Sequence, residues 1–316
     1  MIILLDPALN TENSGDFIIQ AASHRVLEEA DIPYRSLTTR TRWNRSEREL
    51  ASRASFFVVG GTNLLSSHAI SYRQWKFGIS DLGIMRGRVV TLGVGWWQYQ
   101  GPPDFVTTKL WRSLLHDRFK HSVRDSYTAS KLSSMGVKAS VTGCHTMWGL
   151  PPQLPVNFNS KRFASQTVVA TLTDYSKQPA LDQWFLQRLH DWFAEVKVWP
   201  QGKGDEKYVG ELGFRETLIS PGVGSLNQFL EAPQTVYIGT RLHAGIRALQ
   251  LGVPTLVIGV DNRAVEISKD FGLPMLPRNS LPDLWLSLNE RSWVVEQATA
   301  RRDEFLTNLR RLYSGA

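Results

Sequence analysis

Short apolar runs and longer helical patterns alternate along the whole chain. Ile2–Leu5, Ser55–Val59, Val89–Leu92 and Val137–Val141 are four- to five-residue runs, mostly bounded by Gly, Asp or Pro. Runs of that kind predict strands buried on both faces of a parallel sheet. Between them the spacing predicts helices over Gly15–Ala30, Thr107–His121 and Ser126–Met135, the last with a cap at Asp125 or Ser126 and a stop at Gly136. A second series follows the Pro-rich stretch Leu150–Pro155. Its strands are expected at Thr167–Leu172, Lys197–Trp199, Thr217–Ile219, Thr235–Ile238 and Thr255–Ile258. Its helices are expected at Pro179–Glu195, Leu226–Glu231, Ala244–Leu251 and Ala264–Phe271. The tail from Leu281 reads as helical.

This alternation means βαβ units and open, doubly wound sheets. The expected architecture is α/β, with two Rossmann-like domains, 1–154 and 155–316, facing across a cleft and C-terminal helices packing back on the first. A length of 316 residues accommodates two domains. No fixed-period repeat and no low-complexity segment is present.

Composition narrows the classes further. Apolar residues make up 42 % and charged residues 21 %, which excludes a mainly disordered chain. The single Cys144 excludes an intramolecular disulfide framework, a thiolate zinc cluster and a Cys-x-x-Cys pair, and suits a reducing, cytoplasmic setting. The opening MIILLDPALN has no basic stretch before its apolar run and reads as a buried strand, not a signal peptide. No run of 18 apolar residues exists, so no transmembrane helix is expected, and membrane contact would be peripheral at most. The net charge of +7 favours acidic partners such as phosphorylated small molecules. The basic residues are scattered rather than blocked, so no nucleic-acid partner is expected.

In open parallel sheets ligands bind where strand ends lead into helix N-termini. Asn13-Ser14-Gly15-Asp16 opens the first helix after the first strand. Gly15 allows close backbone approach, and Asp16 either caps the helix or orients a substrate hydroxyl. Gly60-Gly61-Thr62-Asn63 and Gly93-Val94-Gly95-Trp96-Trp97 are either tight turns or nests for anions and sugar hydroxyls, and most of the eleven Trp are expected in packed interiors. Arg124, before the Asp125/Ser126 cap, is either a surface ion-pair member or a bidentate clamp for carboxylate or phosphate.

Gly239-Thr240-Arg241-Leu242-His243-Ala244-Gly245 is the sharpest site. It places a rigid cation and a group that exchanges protons near neutral pH together at one helix N-terminus. Asp261 and Arg263, after the next strand, either complete the site or form a capping ion pair. His24, His68, His116 and His190 lack a polar constellation, and His121 and His145 lie near strand ends without an evident partner.

The chain resembles the polysaccharide pyruvyl transferase family. The resemblance rests on Asn13-x-Gly15-Asp16, Gly60-Gly61-x-Asn63, Gly93-x-Gly95, Arg124-Asp125-Ser126 with Leu132 and Gly136-Val137 downstream, and Gly143-Cys144. It closes with Arg241-Leu242-His243-Ala244 followed by Ala248, Gly252 and Pro254. The pattern departs from the family at Asp174, where many members carry Arg, and at His145, where Pro is common.

The resemblance implies a GT-B-like pair of domains, the first on the acceptor side and the second on the donor side. It also implies transfer of pyruvate from phosphoenolpyruvate to a sugar hydroxyl pair as a cyclic ketal. No cofactor or metal is implied; the partners are phosphoenolpyruvate and a sugar acceptor, lipid-linked or not. On that chemistry His243 is the expected acid/base, with Asp16 as a hydroxyl partner. Arg241 and Arg124 are the expected anion clamps, with Leu242, Asn13, Gly60, Gly61, Asn63, Asp261 and Arg263 completing substrate binding. The alternatives are a nucleotide-sugar glycosyltransferase on the same architecture and a non-catalytic sugar-binding relative.

Overall fold

In the computed structural model the residues described are 1–72 and 75–315. They form two compact units: Met1–Thr11, Ile19–Trp148 and Gln297–Ala316 make the first, Glu12–Ile18 and Gly149–Glu296 the second. In chain order, the elements up to Trp148 are β1 (Ile2–Asp6), α1 (Ser14–Glu29), β2 (Tyr34–Thr38), α2 (Arg45–Ser52), β3 (Phe57–Gly60) and α3 (Ile79–Met85). They continue with β4 (Val89–Leu92), α4 (Phe105–Leu114), β5 (His121–Val123), α5 (Ser126–Ser134) and β6 (Ala139–Val141). The parallel sheet runs β2-β1-β3-β4, and β5 pairs β6 in parallel, joined to the loop after β4 by a bridge from Val94 to Val123. Ile3, Leu5, Phe57 and Val59 pack on one face and Ile2, Leu4, Val58 and Val90 on the other. Burial on both faces is why these strands read as unbroken apolar runs.

From Gln153 the elements are β7 (Gln153–Val156), β8 (Thr167–Thr171), α6 (Pro179–Trp192), β9 (Glu195–Val198), α7 (Lys203–Glu211), α8 (Val223–Leu230) and β10 (Thr235–Gly239). After these come α9 (Leu242–Gln250), β11 (Thr255–Gly259), α10 (Asn262–Phe271), β12 (Met275–Pro277), α11 (Leu284–Glu290), β13 (Trp293–Glu296) and α12 (Thr299–Ser314). The second sheet is parallel in the order β12-β11-β10-β8-β9. Counted from its own first strand, each sheet reads 2-1-3-4 or 2-1-3-4-5. The order reverses between β1 and β3 in one sheet and between β8 and β10 in the other. At such a switch point the flanking connections leave in opposite directions and open a crevice at the carboxyl ends of the strands.

Most expected elements are present with ends moved by a few residues, and three differ in kind. The expected helix over Thr107–His121 stops at Leu114. Asp104 caps α4 by accepting the Thr107 N–H at 2.7 Å, Leu115 is already extended, and His121 begins β5. The expected strand Thr217–Ile219 is a 3-10 turn over Arg215–Thr217 followed by one bridge, Leu218 to Val198. The tail is not wholly helical: β13 pairs antiparallel with β7, so the Pro-rich stretch contributes a strand. β2, α2, α3, α7 and β12 have no counterpart in the expectations.

Gly239 marks the closest backbone approach at the second switch point. It pairs in register with Thr171, and a Cβ on it would collide with the hydroxyl, amide and carbonyl of Thr171. The obstacle is largely backbone, so it has little freedom to yield. Gly239→Ala is expected to destabilise the protein by about 2–4 kcal/mol, read as a lowered urea midpoint; an unchanged midpoint would show that the β8–β10 spacing is loose.

Two buried imidazoles are held neutral in the first unit. His121 accepts the Thr91 N–H on Nδ1 at 3.3 Å and faces the His116 carbonyl with Nε2 at 3.1 Å. His145 directs Nε2 at the Ile19 carbonyl (3.2 Å) and the Ser23 hydroxyl (2.9 Å). Burial pushes His121 down to about 4 and, assisted by the Arg124 charge, His145 down to about 3. These lowered values favour the fold in full above the unfolded-chain value of about 6.5, and the benefit is lost as pH falls toward 4 and then 3. Each histidine then steepens the acid limb by up to about 1.4 kcal/mol per pH unit. His145→Gln is expected to flatten the slope of unfolding free energy between pH 6 and 4 by about that amount, measured by urea titration at several pH values. An unchanged slope would mean that His145 takes up its proton in the folded state.

Candidate functional site

The expected residues fall into two groups, one in each unit. In the first unit the structure brings Gly60, Gly61, Asn63 and Arg124 together beyond β3, β4 and β5. The Arg124 guanidinium donates to Asn63 Oδ1 at 2.9 Å and to the Gly61 carbonyl at 3.1 Å. Its residue is fully buried, and among the described residues no carboxylate pairs with it. The glycine turns around it make room for side chains. A Cβ on Gly61 would overlap the His145 ring, one on Gly60 would lie 2.5 Å from Ser23 Oγ, and one on Gly95 would lie 2.5 Å from Asn63 Oδ1.

These findings correct two expectations. The space beside Gly61 and Gly95 is filled by His145, Asn63 and Arg124, and Arg124 presents no open face on which to clamp an anion. Trp96, beside Gly95, is a core residue, as expected for most of the Trp, fully buried with its indole N–H on Gln100 Oε1 at 3.1 Å. His145 had no evident partner in the sequence because Ser23 and Ile19 lie more than a hundred positions away.

The second unit holds the remaining candidates. Arg241 is the N-cap residue of α9, directly beyond β10, and its backbone is fixed on both sides. Its N–H donates to Thr171 Oγ1 at 3.0 Å, and its carbonyl accepts the Tyr237 hydroxyl at 2.8 Å. Because Tyr237 donates there, the 2.7 Å contact between the two hydroxyls runs from Thr171 to Tyr237. Burial pushes the Tyr237 phenol up, which keeps that donor protonated.

The Arg241 side chain is held as firmly. Nε donates to Asp205 Oδ2 at 3.0 Å, Nη2 donates to Asp205 Oδ1, and Nη2 also reaches Asp174 Oδ1 at 3.2 Å. Burial raises the Asp205 carboxyl above its usual range, against the opposing pull of Arg241 and of two backbone amides, Asp174 N–H and Gln201 N–H.

That network extends to the loop before α1. Gln201 donates from Nε2 to Asn13 Oδ1 at 2.7 Å, and its carbonyl accepts the Ser14 N–H at 2.9 Å. A Cβ on Gly15 would lie 2.6 Å from the Gln201 amide, so Gly15 serves this close seat. Asp16 follows, buried in the first turn of α1 and close enough to act electrostatically on Arg263.

Arg263 and Asp261 are joined, as one of the two readings of the sequence had it. Asp261 caps α10 by accepting the Arg263 N–H at 3.0 Å and pairs with its guanidinium. Burial would raise the Asp261 carboxyl, but the Arg263 charge and hydrogen bonds hold it below its usual range. Tyr175 sits between the two arginines, with Arg241 Cζ 5.1 Å and Arg263 Cζ 5.8 Å from its ring centre, and its hydroxyl bonds Asp261 Oδ2 at 3.0 Å. The two arginines therefore share one aromatic ring. Leu242 and His243 lie in the first turn of α9 and are both buried, at 5 % and 6 % exposed.

Tyr175, Gln201 and Asp205 are site residues that the sequence reading did not single out, and Asp174 entered it only as a departure from the family pattern. A signal for them existed: Asp174-Tyr175 begin three residues beyond the end of β8, and Gly202-Lys203-Gly204-Asp205 is another glycine-bearing turn from a strand into a helix. Among the described residues no cluster of three His, Cys, Asp or Glu side chains is arranged to hold a metal ion. No helix among them is long and apolar enough to cross a membrane.

Chemically, the second-unit group offers a fixed guanidinium at a helix N-terminus, a second cation across an aromatic ring, and an imidazole in the first turn of the same helix. That combination suits a small polyanion and a proton transfer.

Comparison with solved structures identifies the fold. The UDP-GlcNAc 2-epimerase of Methanocaldococcus jannaschii, in complex with UDP-GlcNAc and UDP, aligns over 98 % of both chains at 15 % identity with a TM-score of 0.56. A second structure of UDP-GlcNAc 2-epimerase from that organism aligns over 98 % of both chains at 12 % identity with a TM-score of 0.52. The chain thus has a GT-B-like α/β fold: the α/β class is the one expected from its alternating pattern, and the GT-B-like form is the one its resemblance implied. No curated protein sequence matches it. The family profile of polysaccharide pyruvyl transferase matches residues 13–262, a span that includes both arginines' flanking elements up to the start of α10, and the chain belongs to that family.

Proposed function

We propose that this protein transfers the pyruvyl group of phosphoenolpyruvate to a pair of hydroxyls on a sugar, forming a cyclic ketal and releasing phosphate. The observation that carries the reading is the Arg241 guanidinium. It is locked by Asp205, Thr171 and Tyr237 at the β8/β10 switch point, and its Nη1 makes no hydrogen bond to protein among the described residues. A cation so fixed, with one N–H pair unused, is preorganised for an anionic donor.

Phosphoenolpyruvate is an enol ester. Protonation of its methylene carbon turns CH2 into CH3 and leaves an oxocarbenium-like centre at C2. One sugar hydroxyl adds to C2 and releases its proton. The bond from C2 to the phosphate oxygen breaks, and the second hydroxyl closes the ring as its proton passes to the departing phosphate. Arg241 and Arg263 hold the donor's negative charge, His243 exchanges the protons, and Asp16 orients an acceptor hydroxyl. Each step is assigned to a side chain, so activity is expected to persist in a chelator.

His243→Ala is expected to lower turnover by about two to four orders of magnitude, followed as phosphate released from phosphoenolpyruvate in the presence of sugar acceptors. Turnover near that of the wild type would remove His243 from the chemistry. Arg241→Lys is expected to raise the KM for phosphoenolpyruvate about tenfold or more, because an ammonium cannot bind Asp205 and a ligand with one planar fork. Release of nucleoside diphosphate from sugar nucleotides, with none of phosphate from phosphoenolpyruvate, would assign the site to glycosyl transfer instead.

A further inference from the structure

We infer that Asp174 occupies the anion position of the donor site in the ligand-free protein and competes there with the carboxylate of the substrate. The inference rests on the donor reading of Arg241 given above and names what decides the affinity of that site.

A guanidinium has five N–H groups that form two forks, one from Nε with the near N–H of Nη2, the other from Nη1 with the outer N–H of Nη2. Asp205 takes the first fork, through Nε at 3.0 Å and through Nη2. The second fork is the one left for a ligand, and Asp174 Oδ1 holds half of it, 3.2 Å from Nη2. Nη1, the other half, has no protein acceptor among the described residues. A planar carboxylate arriving end-on at Arg241 must therefore take the place of Asp174.

The surroundings of Asp174 seat one of its carboxylate oxygens. A Cβ on Gly204 would overlap Asp174 Oδ2, so the absence of a side chain at 204 makes the seat for that oxygen. Gly204 is the second residue of α7, a nine-residue helix, and the positive end of a helix favours a negative group. A guanidinium fork and a helix start thus converge on one small volume, and the occupant is the protein's own side chain.

The two carboxylates on Arg241 are held very differently. The Asp205 side chain is 1 % exposed and accepts two backbone N–H groups besides Arg241, so it is a fixed positioning residue. The Asp174 side chain is 41 % exposed, and Arg241 is its one hydrogen-bonding partner among the described residues. Its backbone is anchored, since its N–H donates to Asp205 Oδ1 at 3.1 Å. The carboxylate can therefore rotate into solvent without unfolding the turn that carries it. Exposed ion pairs of this kind are weak enough for a ligand to replace.

The test is calorimetric titration of phosphoenolpyruvate into wild type, Asp174→Asn, Asp174→Ser, Arg241→Ala and the Asp174→Asn/Arg241→Ala double variant. Glu206→Gln, a neutralisation on the exposed side of α7, controls for general charge. Asp174→Asn and Asp174→Ser are expected to tighten binding about three- to tenfold, with Glu206→Gln within about twofold of wild type. The gain is expected to vanish on the Arg241→Ala background and to persist in about 0.5 M salt, where the field of a distant charge is screened. In turnover, the Asp174 variants are expected to lower the KM for phosphoenolpyruvate by a similar factor.

Unchanged or weaker binding in both Asp174 variants, with Arg241→Ala still weakening the wild-type site, would overturn the competition and leave the donor reading standing. A gain that survives loss of Arg241, or is matched by Glu206→Gln, would reduce it to general electrostatics and also overturn it. Unchanged affinity in Arg241→Ala would remove the donor site itself, and the competition with it.

Discussion

The buried ion pair between Arg241 and Asp205 is the constraint on which the second-unit site depends. Neither charge is well solvated there, and burial alone works against the ionised form of Asp205. The pair is tolerable because the carboxylate and the backbone of the arginine are both fully bonded. Two backbone amides meet the carboxylate, and the backbone of Arg241 is bonded by Thr171 on one side and Tyr237 on the other. That arrangement in turn requires β8 and β10 to come close enough for the Thr171 hydroxyl to reach past the strand end. A glycine at 239 is what allows it. One small residue in a strand thus helps to set the position of the guanidinium carried by the helix cap.

The two sheets follow the same strand order, yet their switch points have been put to different uses. Beyond β3 the first unit packs Arg124 against neutral oxygens of Asn63 and Gly61, with His145 filling the volume over Gly61 and Gly93. The result is a closed polar core. Beyond β8 the second unit leaves Asp174 and Tyr175 exposed on a short 3-10 turn, with two arginines against the tyrosine ring. Identical topology yields a packed plug in one case and an accessible charged surface in the other. The difference lies in side chains that the fold class does not specify.

The same contrast explains what could be read from the sequence. Strands buried on both faces announce themselves as apolar runs, so β1, β4, β8, β10 and β11 were legible almost to the residue. β2, whose first three residues are only partly buried, carries the mixed sequence YRSLT and has no such signature. β13 and β7 form a ribbon from segments 137 positions apart at Trp293 and Val156, and no local pattern encodes that pairing. Arg241 and His243 stood out because they are adjacent at a strand end. Asp205, which gives Arg241 its orientation, stands 36 positions away and is linked to it only by the parallel sheet. Arg124 shows the opposite failure. Its residue type and strand-end place suggested a surface ion pair or a clamp, but whether an arginine faces solvent or a packed interior is decided by neighbours distant in sequence.

Charge balance then limits how the site can work. Around Tyr175, the cations Arg241 and Arg263 stand against three carboxylates, Asp174, Asp205 and Asp261, each bonded to one of them. By that count the cluster carries one net negative charge, so it has no net attraction for a trianionic enol phosphate, however well placed its N–H groups are. Asp205 and Asp261 are committed by burial and by backbone hydrogen bonds, and releasing either would strand a partly buried guanidinium. Asp174 alone is exposed and held at a single atom, so it is the carboxylate whose departure costs least. A fixed arginine needs a permanent anionic partner to keep its geometry, and it needs a free fork to bind a ligand. With Asp205 in the first role and Asp174 in the second place, both demands are met by one side chain that stays and one that yields.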